Sequence, residues 1–321
     1  MTFILRTLSC LVAGVAILPG TPAPIGPERS TPSTQSIWPT ELGMQVLLDR
    51  AGFSPGEIDG ASGPNSRGAL AAFQTERGVA PSGQNRPALL EALGAGAVEP
   101  ILSYTITAEE AAGPFLETIP QDMTAQSKLP GLYYTSLLEA LGEKFHSAPA
   151  LLTRLNPGAR FTAGAHIRVP NVLGAKGASG PAQAGPVKVV VSKKTSALTV
   201  YDRDGQIIFH APVTTGSEHD SLPLGHWTIM SVVHNPTYNY NPDLFWDADP
   251  TNAKATIAAG PNNPVGVVWI DLSKPHYGIH GTPEPGQIGR TTSHGCVRLT
   301  NWDALRLASL VTTGTPVVFE E

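Results

Sequence analysis

The sequence predicts a multidomain chain in which a small three-helix domain and a small α+β segment precede a mostly β domain. Three observations predict it. A length of 321 residues favours two or three domains over one. Apolar residues recur at helical spacing in the first half, whereas short strand-like runs separated by turn signals follow Pro186. Between the two regimes lies GAKGASGPAQAGP, Gly174 to Pro186, without one residue able to fill a core, so 173–186 reads as a flexible linker.

The first element is MTFILRTLSCLVAGVAILPGTPA, where one arginine precedes an apolar run ending in Pro, Gly and Ala. This is the pattern of a secretory signal peptide over 1–23. An uncleaved anchor and a lipoprotein attached through Cys10 are the other readings. Residues 24–39 mix Pro, Ser and Thr without apolar periodicity and read as a disordered linker.

Residues 40–95 then supply three short helices. TELGMQVLLDRAGF spaces Met44, Leu47, Leu48 and Ala51 along one helix, with Thr40 as its cap. NSRGALAAFQTERG repeats the pattern with Ala69, Leu70 and Phe73, and RPALLEAL adds Leu89, Leu90 and Leu93. The glycines of SPGEIDGASG suit a tight loop between the first two helices, and one small apolar core is expected among the three.

The segment 103–172 reads as a first strand in SYTIT, a helix through Phe145, a second helix through Leu155, a turn at Asn156-Pro157-Gly158 and a strand HIRVP. A packing spacer is the plain alternative for it. In 187–321, VKVVV, ALTVY, QIIFHAPV, GHWTIMSVV, VGVVWIDLS, HYGIHGT and TPVVFE are candidate strands. DRDG is a hairpin turn between the second and third. TNWDALRLASLV is the one clear helix, and Thr300 with Asp303 forms a capping-box pattern at its start. Pro223 and Gly225 set a turn before their strand.

Charged residues make up 15% of the chain and the net charge is -5, so no basic face suggests nucleic acid. Gly and Pro together are about a fifth of the residues, which implies many turns. Only two cysteines occur. Once a signal peptide carrying Cys10 is removed, Cys296 has no partner for an intrachain disulfide in an oxidising compartment. A lone thiol there is reactive or pairs with another chain.

Cys296 stands in TTSHGCVRL, and His276, His280 and His294 lie within twenty residues of it. Zinc favours imidazole and thiolate, but these spacings match no structural zinc pattern, so no metal is expected. A nucleophilic thiol needs a base, a group that orients the base, and donors for an oxyanion. His280 or His294 can supply the base, and Arg298 would lower the thiol pKa. Gly295 opens backbone amides to a substrate carbonyl. Tyr277, Trp269 and Trp246 are candidates to line a groove, although aromatics in a β domain are more often core.

Three resemblances follow from these strings. LLDRAGFSPGEIDGASGPNSRGALAAFQTERGVAPSG resembles the peptidoglycan-binding repeat over Thr40 to Leu93, with Ala61-Ser62-Gly63 in place of the family's usual aromatic-Gly pair. The strand and helix order of 103–172 resembles the later part of a LysM repeat. HGTPEPGQIGRTTSHGCVRL is similar to the signature of the YkuD family of L,D-transpeptidases.

The last resemblance implies a YkuD-like β-sandwich or barrel. It also implies that Cys296 is the acylated nucleophile and His280 the general base, with the Gly281 carbonyl orienting the imidazole. The amides of His294, Gly295 and Cys296 would form the oxyanion hole, with Arg298 positioning the peptide. His294 has a plain alternative role in holding its loop by hydrogen bonds, and Arg298 in pairing with a carboxylate.

The implied reaction joins diamino-acid residues of peptidoglycan stem peptides in the periplasm, without cofactor. Peptidoglycan stem peptides and glycan are the expected partners, with no nucleic acid and no transmembrane span after signal cleavage. Carbapenems would acylate the same thiol. With water as acceptor the site is an L,D-carboxypeptidase, and with a protein lysine it anchors a lipoprotein. A non-catalytic wall-binding protein is the reading from another class, and a scaffold disulfide-linked through Cys296 is a further one.

Overall fold

Helix α1, Glu41–Ala51, begins where the Thr40 hydroxyl accepts the Gly43 amide and ends at Gly52, whose φ of 94° is left-handed. The computed structural model describes residues 40–80, 86–173, 185–248, 251 and 253–321. The expected signal peptide, the linker over 24–39 and most of the linker over 173–186 lie outside the described residues.

Helix α2, Pro64–Arg77, starts on a proline, and α3, Arg86–Ala92, follows. Leu47, Leu48, Ala69, Phe73, Leu89 and Leu93 form a core as expected, Phe53 joins them, and Met44, Ala51 and Leu70 pack partly buried against it, whereas Leu90 is not part of it. Phe53 and Phe73 meet edge to face at 5.3 Å. One core does not account for α1, however. Its Val46, with Ile58 of the next loop, packs into a second core beside Leu141, Phe145, Leu152 and Ile167. The sequence conceals this second face because it is partly polar. Gln45 and Asp49 are buried there, Gln45 bonded to Asp59 at 2.9 Å and to Ser66 at 3.1 Å, Asp49 to His146 at 3.1 Å.

That second core belongs to the middle segment: β1 (Ile101–Thr105), α4 (Ala108–Ala112), α5 (Met123–Gln126), α6 (Leu137–Lys144), α7 (Pro149–Leu155) and β2 (His166–Pro170). β1 and β2 pair antiparallel, Ile101 against Pro170 through Thr105 against His166. Helices α4 and α5 fill an interval in which no element was expected.

The mostly β domain contains β3 (Lys188–Ser192), β4 (Ala197–Tyr201), β5 (Ile207–Pro212), β6 (Gly225–His234), β7 (Tyr238–Tyr240), β8 (Ala255–Ile257), β9 (Val268–Leu272), β10 (Gly278–His280), β11 (Val297–Arg298), α8 (Asn301–Leu310) and β12 (Pro316–Glu320). Eight strands form one sheet in the order β11-β10-β9-β6-β12-β3-β4-β5, and β7 pairs with β8. The DRDG turn joins β4 to β5, and the Asp202 carboxylate accepts the amides of Asp204 and Gln206 there. Long β6 pairs with β12 over its first residues and with β9 over its last, and its register shifts between Ile229 and Ser231. Just past β5, Thr214 exchanges two backbone hydrogen bonds with Arg298, at 3.0 and 2.9 Å. The sheet therefore curls until its two ends meet.

Val189, Val191, Leu198, Phe209, Ile270, Ile279, Val297 and Val317 fill the core of this domain, with Ala304 and Leu307 of α8 against them. The capping box expected at Thr300 is only half made. Thr300 accepts the Asp303 amide at 3.2 Å, but the short Asp303 carboxylate does not return to the Thr300 amide. It accepts the hydroxyls of Thr300 and Ser54 instead, each at 2.8 Å.

The Ser54 contact is one of several that join the helical module to the sheet. Ser54 N–H donates to His210 at 2.7 Å and His210 N–H to Gly52 at 2.9 Å, so Phe53 lies as a short parallel strand on β5. Glu76 accepts the Ile207 amide at 2.9 Å. The exposed edge of the sheet is thus covered, which removes unpaired backbone groups from solvent.

Candidate active site

Strand alternation places the candidate residues. Parallel β10 and β11 are in register with Ile279 opposite Val297 and His280 opposite Arg298. Ile279 and Val297 are fully buried in the core, so Gly278 and His280 of one strand, and Cys296 and Arg298 of the other, face the opposite side. Trp269 of β9 is paired with His280 across the next ladder and lies on the same side. Its indole occupies the space above Gly278, where a Cβ would come within 2.5 Å of the ring.

Nδ1 of His280 is 2.7 Å from the Gly281 carbonyl oxygen. A carbonyl only accepts, so Nδ1 carries the proton and Nε2 keeps its lone pair. Burial, and then the nearby Arg298 guanidinium, pushes His280 down to about 3, against the opposing effect of the Gly281 bond. The imidazole is therefore neutral at physiological pH.

Burial pushes the Cys296 thiol above its ordinary value, while the Gly278 N–H and Arg298 act the other way. Arg298 does lower the thiol pKa as expected from sequence, but the dense surroundings of the sulfur outweigh it. At rest the thiol and the imidazole are both neutral. Sγ also approaches the His276 carbonyl at 3.8 Å. Among the described residues no cluster of three or more His, Cys, Asp or Glu side chains is arranged to hold a metal ion.

The remaining candidates divide. The His294 ring is taken up by its surroundings, with Nε2 2.9 Å from Asp247 and its face or edge against Phe245 at 5.1 Å. Gly295 has φ of 98°, and a Cβ there would fall 2.7 Å from the Tyr277 ring. Its N–H donates to Ser293 Oγ at 3.2 Å. Tyr277 thus closes over the loop, with the Lys274 ammonium 4.9 Å from its ring. Trp246 is 61% exposed and lies tilted against His219, with ring centroids 4.3 Å apart. No carboxylate pairs with Arg298 among the described residues.

Three residues that the sequence did not single out complete the arrangement. Ser293 Oγ donates to the Cys296 carbonyl at 2.6 Å, and its amide donates to Thr215 at 2.9 Å, which ties the loop across the sheet closure. Its place beside His294 was the available signal. Gly278 favours the charged form of the thiol, and Tyr238 lies near Cys296 and Arg298. Burial first, then the thiolate, holds the Tyr238 phenol up at about 12. Nothing local in the sequence marked either.

The L,D-transpeptidase catalytic domain pattern, YkuD, matches residues 186–319, and a peptidoglycan binding domain matches 44–93. The chain is 32% identical over 183 residues to a Bacillus licheniformis protein named as an L,D-transpeptidase, YkuD. That alignment covers 56% of this chain and 91% of that protein. The Bacillus subtilis YkuD protein is 30% identical over 182 residues, with the same 56% and 91% coverage. A Fuscovulum blasticum protein named as an L,D-transpeptidase is 44% identical over 136 residues, 41% of this chain and 69% of that one. Among solved structures, L,D-transpeptidase 3 from Mycobacterium tuberculosis aligns with a TM-score of 0.36 at 18% identity, covering 51% of this chain and 76% of that chain.

A curled, mostly β transferase domain preceded by a helical module of peptidoglycan-binding type is the class these findings define. The chain belongs to the YkuD family of L,D-transpeptidases.

Proposed function

We propose that the protein is a cysteine-dependent L,D-transpeptidase that joins diamino-acid residues of neighbouring peptidoglycan stem peptides through a thioester on Cys296. The observation that carries this is the His280 imidazole with Nδ1 committed to Gly281, on the strand that pairs with the one following Cys296. The family supplies the reaction class, and both matched domains favour peptidoglycan as partner.

His280 Nε2 takes the Sγ proton as sulfur attacks the donor carbonyl, so the ion pair arises during reaction from two neutral groups. The amides of His294 and Cys296 serve the oxyanion, since the Gly295 N–H is already engaged by Ser293. Collapse breaks the C–N bond to terminal D-Ala, whose amine takes the proton from His280. An acceptor amine then attacks the thioester, forms the new C–N bond and returns the thiol. Arg298 and Tyr277 hold the donor peptide beside the sulfur, and Trp269 keeps water off the imidazole. His294, held by Asp247, fixes the loop.

The domain division follows the same reading. Residues 40–95 are the peptidoglycan-binding module, 103–172 a LysM-like segment with two helices against the β1–β2 pair, and 187–321 the catalytic domain. The protein works in the periplasm after export.

Intact mass of the protein after incubation with a disaccharide tetrapeptide, and separately with a carbapenem, tests the reading against Cys296→Ala. A mass increase confined to the unaltered protein, with cross-linked dimer from the tetrapeptide, is the expected result. Released tripeptide without dimer would make water the acceptor. No modification of Cys296 under reducing conditions would overturn the enzymatic reading.

A further inference from the structure

Asn301, the first residue of α8, is 2% exposed and its side-chain amide is fully committed. Oδ1 accepts the Val267 N–H at 3.2 Å. Nδ2 donates to the Pro261 carbonyl at 3.1 Å and to Glu143 Oε1 at 3.2 Å. The same Oδ1 sits where two glycines approach it. A Cβ on Gly281 would lie 2.2 Å from it, and one on Gly266 would lie 2.1 Å away. Asn301 is therefore wedged directly beneath the residue whose carbonyl holds His280 Nδ1. A displacement of this amide must be taken up by the Gly281 peptide, because close-packed atoms leave no slack between them.

Glu143 comes from α6 of the middle segment, 158 residues away in sequence. Burial pushes its carboxyl up to about 8, with Glu139 and Glu57 adding to the rise and Asn301 and His146 opposing it. At neutral pH it is an uncharged acid that accepts from Asn301. A cavity of about 610 Å³ opens beside it, lined among others by Glu143, Tyr134, His146, Pro261 and Trp302. With open space beside Glu143, its hydrogen bond to Asn301 joins those to Val267 and Pro261 in setting where the Asn301 amide rests.

We propose that Glu143 is a positioning residue for His280, acting through Asn301 and the Gly281 peptide, so that the middle segment supplies part of the alignment of the catalytic base. This rests on His280 being the base. The consequence is that the segment over 103–172 serves the reaction directly, whatever it binds in the wall.

The experiment compares Glu143→Leu, which deletes the acceptor, with Glu143→Gln, which keeps an oxygen for Asn301. Asn301→Ser, whose hydroxyl is too short to reach Glu143, is the second variant should Glu143→Leu fail to fold. Two quantities are read in the full chain: kcat and KM on a disaccharide tetrapeptide, and the His280 Nδ1 proton resonance by NMR. The expected result is a fall in kcat of about 10- to 100-fold with KM unchanged in Glu143→Leu or Asn301→Ser, accompanied by a shifted or broadened Nδ1 resonance. Glu143→Gln is expected to restore both. An unperturbed resonance in a folded Glu143→Leu or Asn301→Ser protein would overturn the proposal, whatever the activity. A resonance that moves in these variants while the unaltered protein lacks activity would support the positioning and sink the assignment of His280 as base.

Discussion

Trp269 lies nearly flat on His280, with ring centroids 5.5 Å apart and planes 22° from parallel. Cross-strand pairing brings the two together, and the indole also spreads over Gly278. The stack shields the imidazole from water, and burial is the largest cause of its depressed pKa. Trp269→Ala should admit water and raise the His280 pKa from about 3 toward its ordinary value. The proposed role of His280 as base requires it neutral. The unaltered protein should therefore keep kcat/KM on the acid side of neutrality, where the variant protonates and loses it. A pH profile of kcat/KM checks this, and an unmoved acid limb would refute the desolvation account.

Arg298 and the Gly278 amide are the two influences that favour the Cys296 thiolate against burial. Removing the charge in Arg298→Gln should drive the thiol pKa higher still and slow alkylation by iodoacetamide at pH 8 by several-fold. Alkylation rate followed against pH is the measurement. Equal rates for the two proteins at every pH would show that Arg298 does not act on the thiol.

Gly295 combines φ of 98° with a Tyr277 ring in the space a side chain would need. Gly295→Ala should cost about 1–3 kcal/mol in backbone strain alone, beyond the clash. Thermal unfolding and turnover should both suffer, with turnover falling at least about tenfold, because the strain reaches Cys296 one residue on. Adding Tyr277→Ala should recover the steric part of the lost thermal stability, measured against Tyr277→Ala alone, and leave the strain. Full recovery in the double variant would show that φ at this position is immaterial.

Phe53 is 1% exposed, contributes to the core of the helical module and lies along β5. Phe53→Ala should destabilise the protein by about 3–5 kcal/mol, as expected for a large buried aromatic. Urea unfolding of both proteins, followed at the module and at the sheet by separate probes, is the check. One coincident transition is expected in each, and a sheet transition that stays put while the module shifts would contradict the join.

Local pattern made much of this molecule legible. Leu47, Leu48 and Phe73 sit at helical spacing, ALTVY-DRDG-QIIFHAPV announces a hairpin, and the SHGC string with His280 brought together the residues that the sheet places on one face. The short elements were not legible. β11 is two residues long and exists because Val297 and Arg298 pair with β10 and Thr214. β7 and β8 likewise have three residues each. Contacts made over long stretches of chain were equally hidden: Ser54 with Asp303, Glu143 with Asn301, Asn65 Nδ2 with the Ile288 carbonyl. A polar residue buried by a distant partner looks like a surface residue until the partner is known, as Gln45 and Asp49 illustrate.

The bonds between Gly52–Ser54 and His210 bear on how such a chain can be recombined. Gene shuffling that exchanges one wall-binding module for another treats the linker as the seam, yet here the true border passes through main-chain hydrogen bonds and the Ser54–Asp303 contact. A foreign module spliced in at residue 95 would arrive without a matching strand for β5 and leave Asp303 short of one donor. Chimeras of this protein should therefore be built with the module and the β5 hairpin exchanged together, as a single inherited unit.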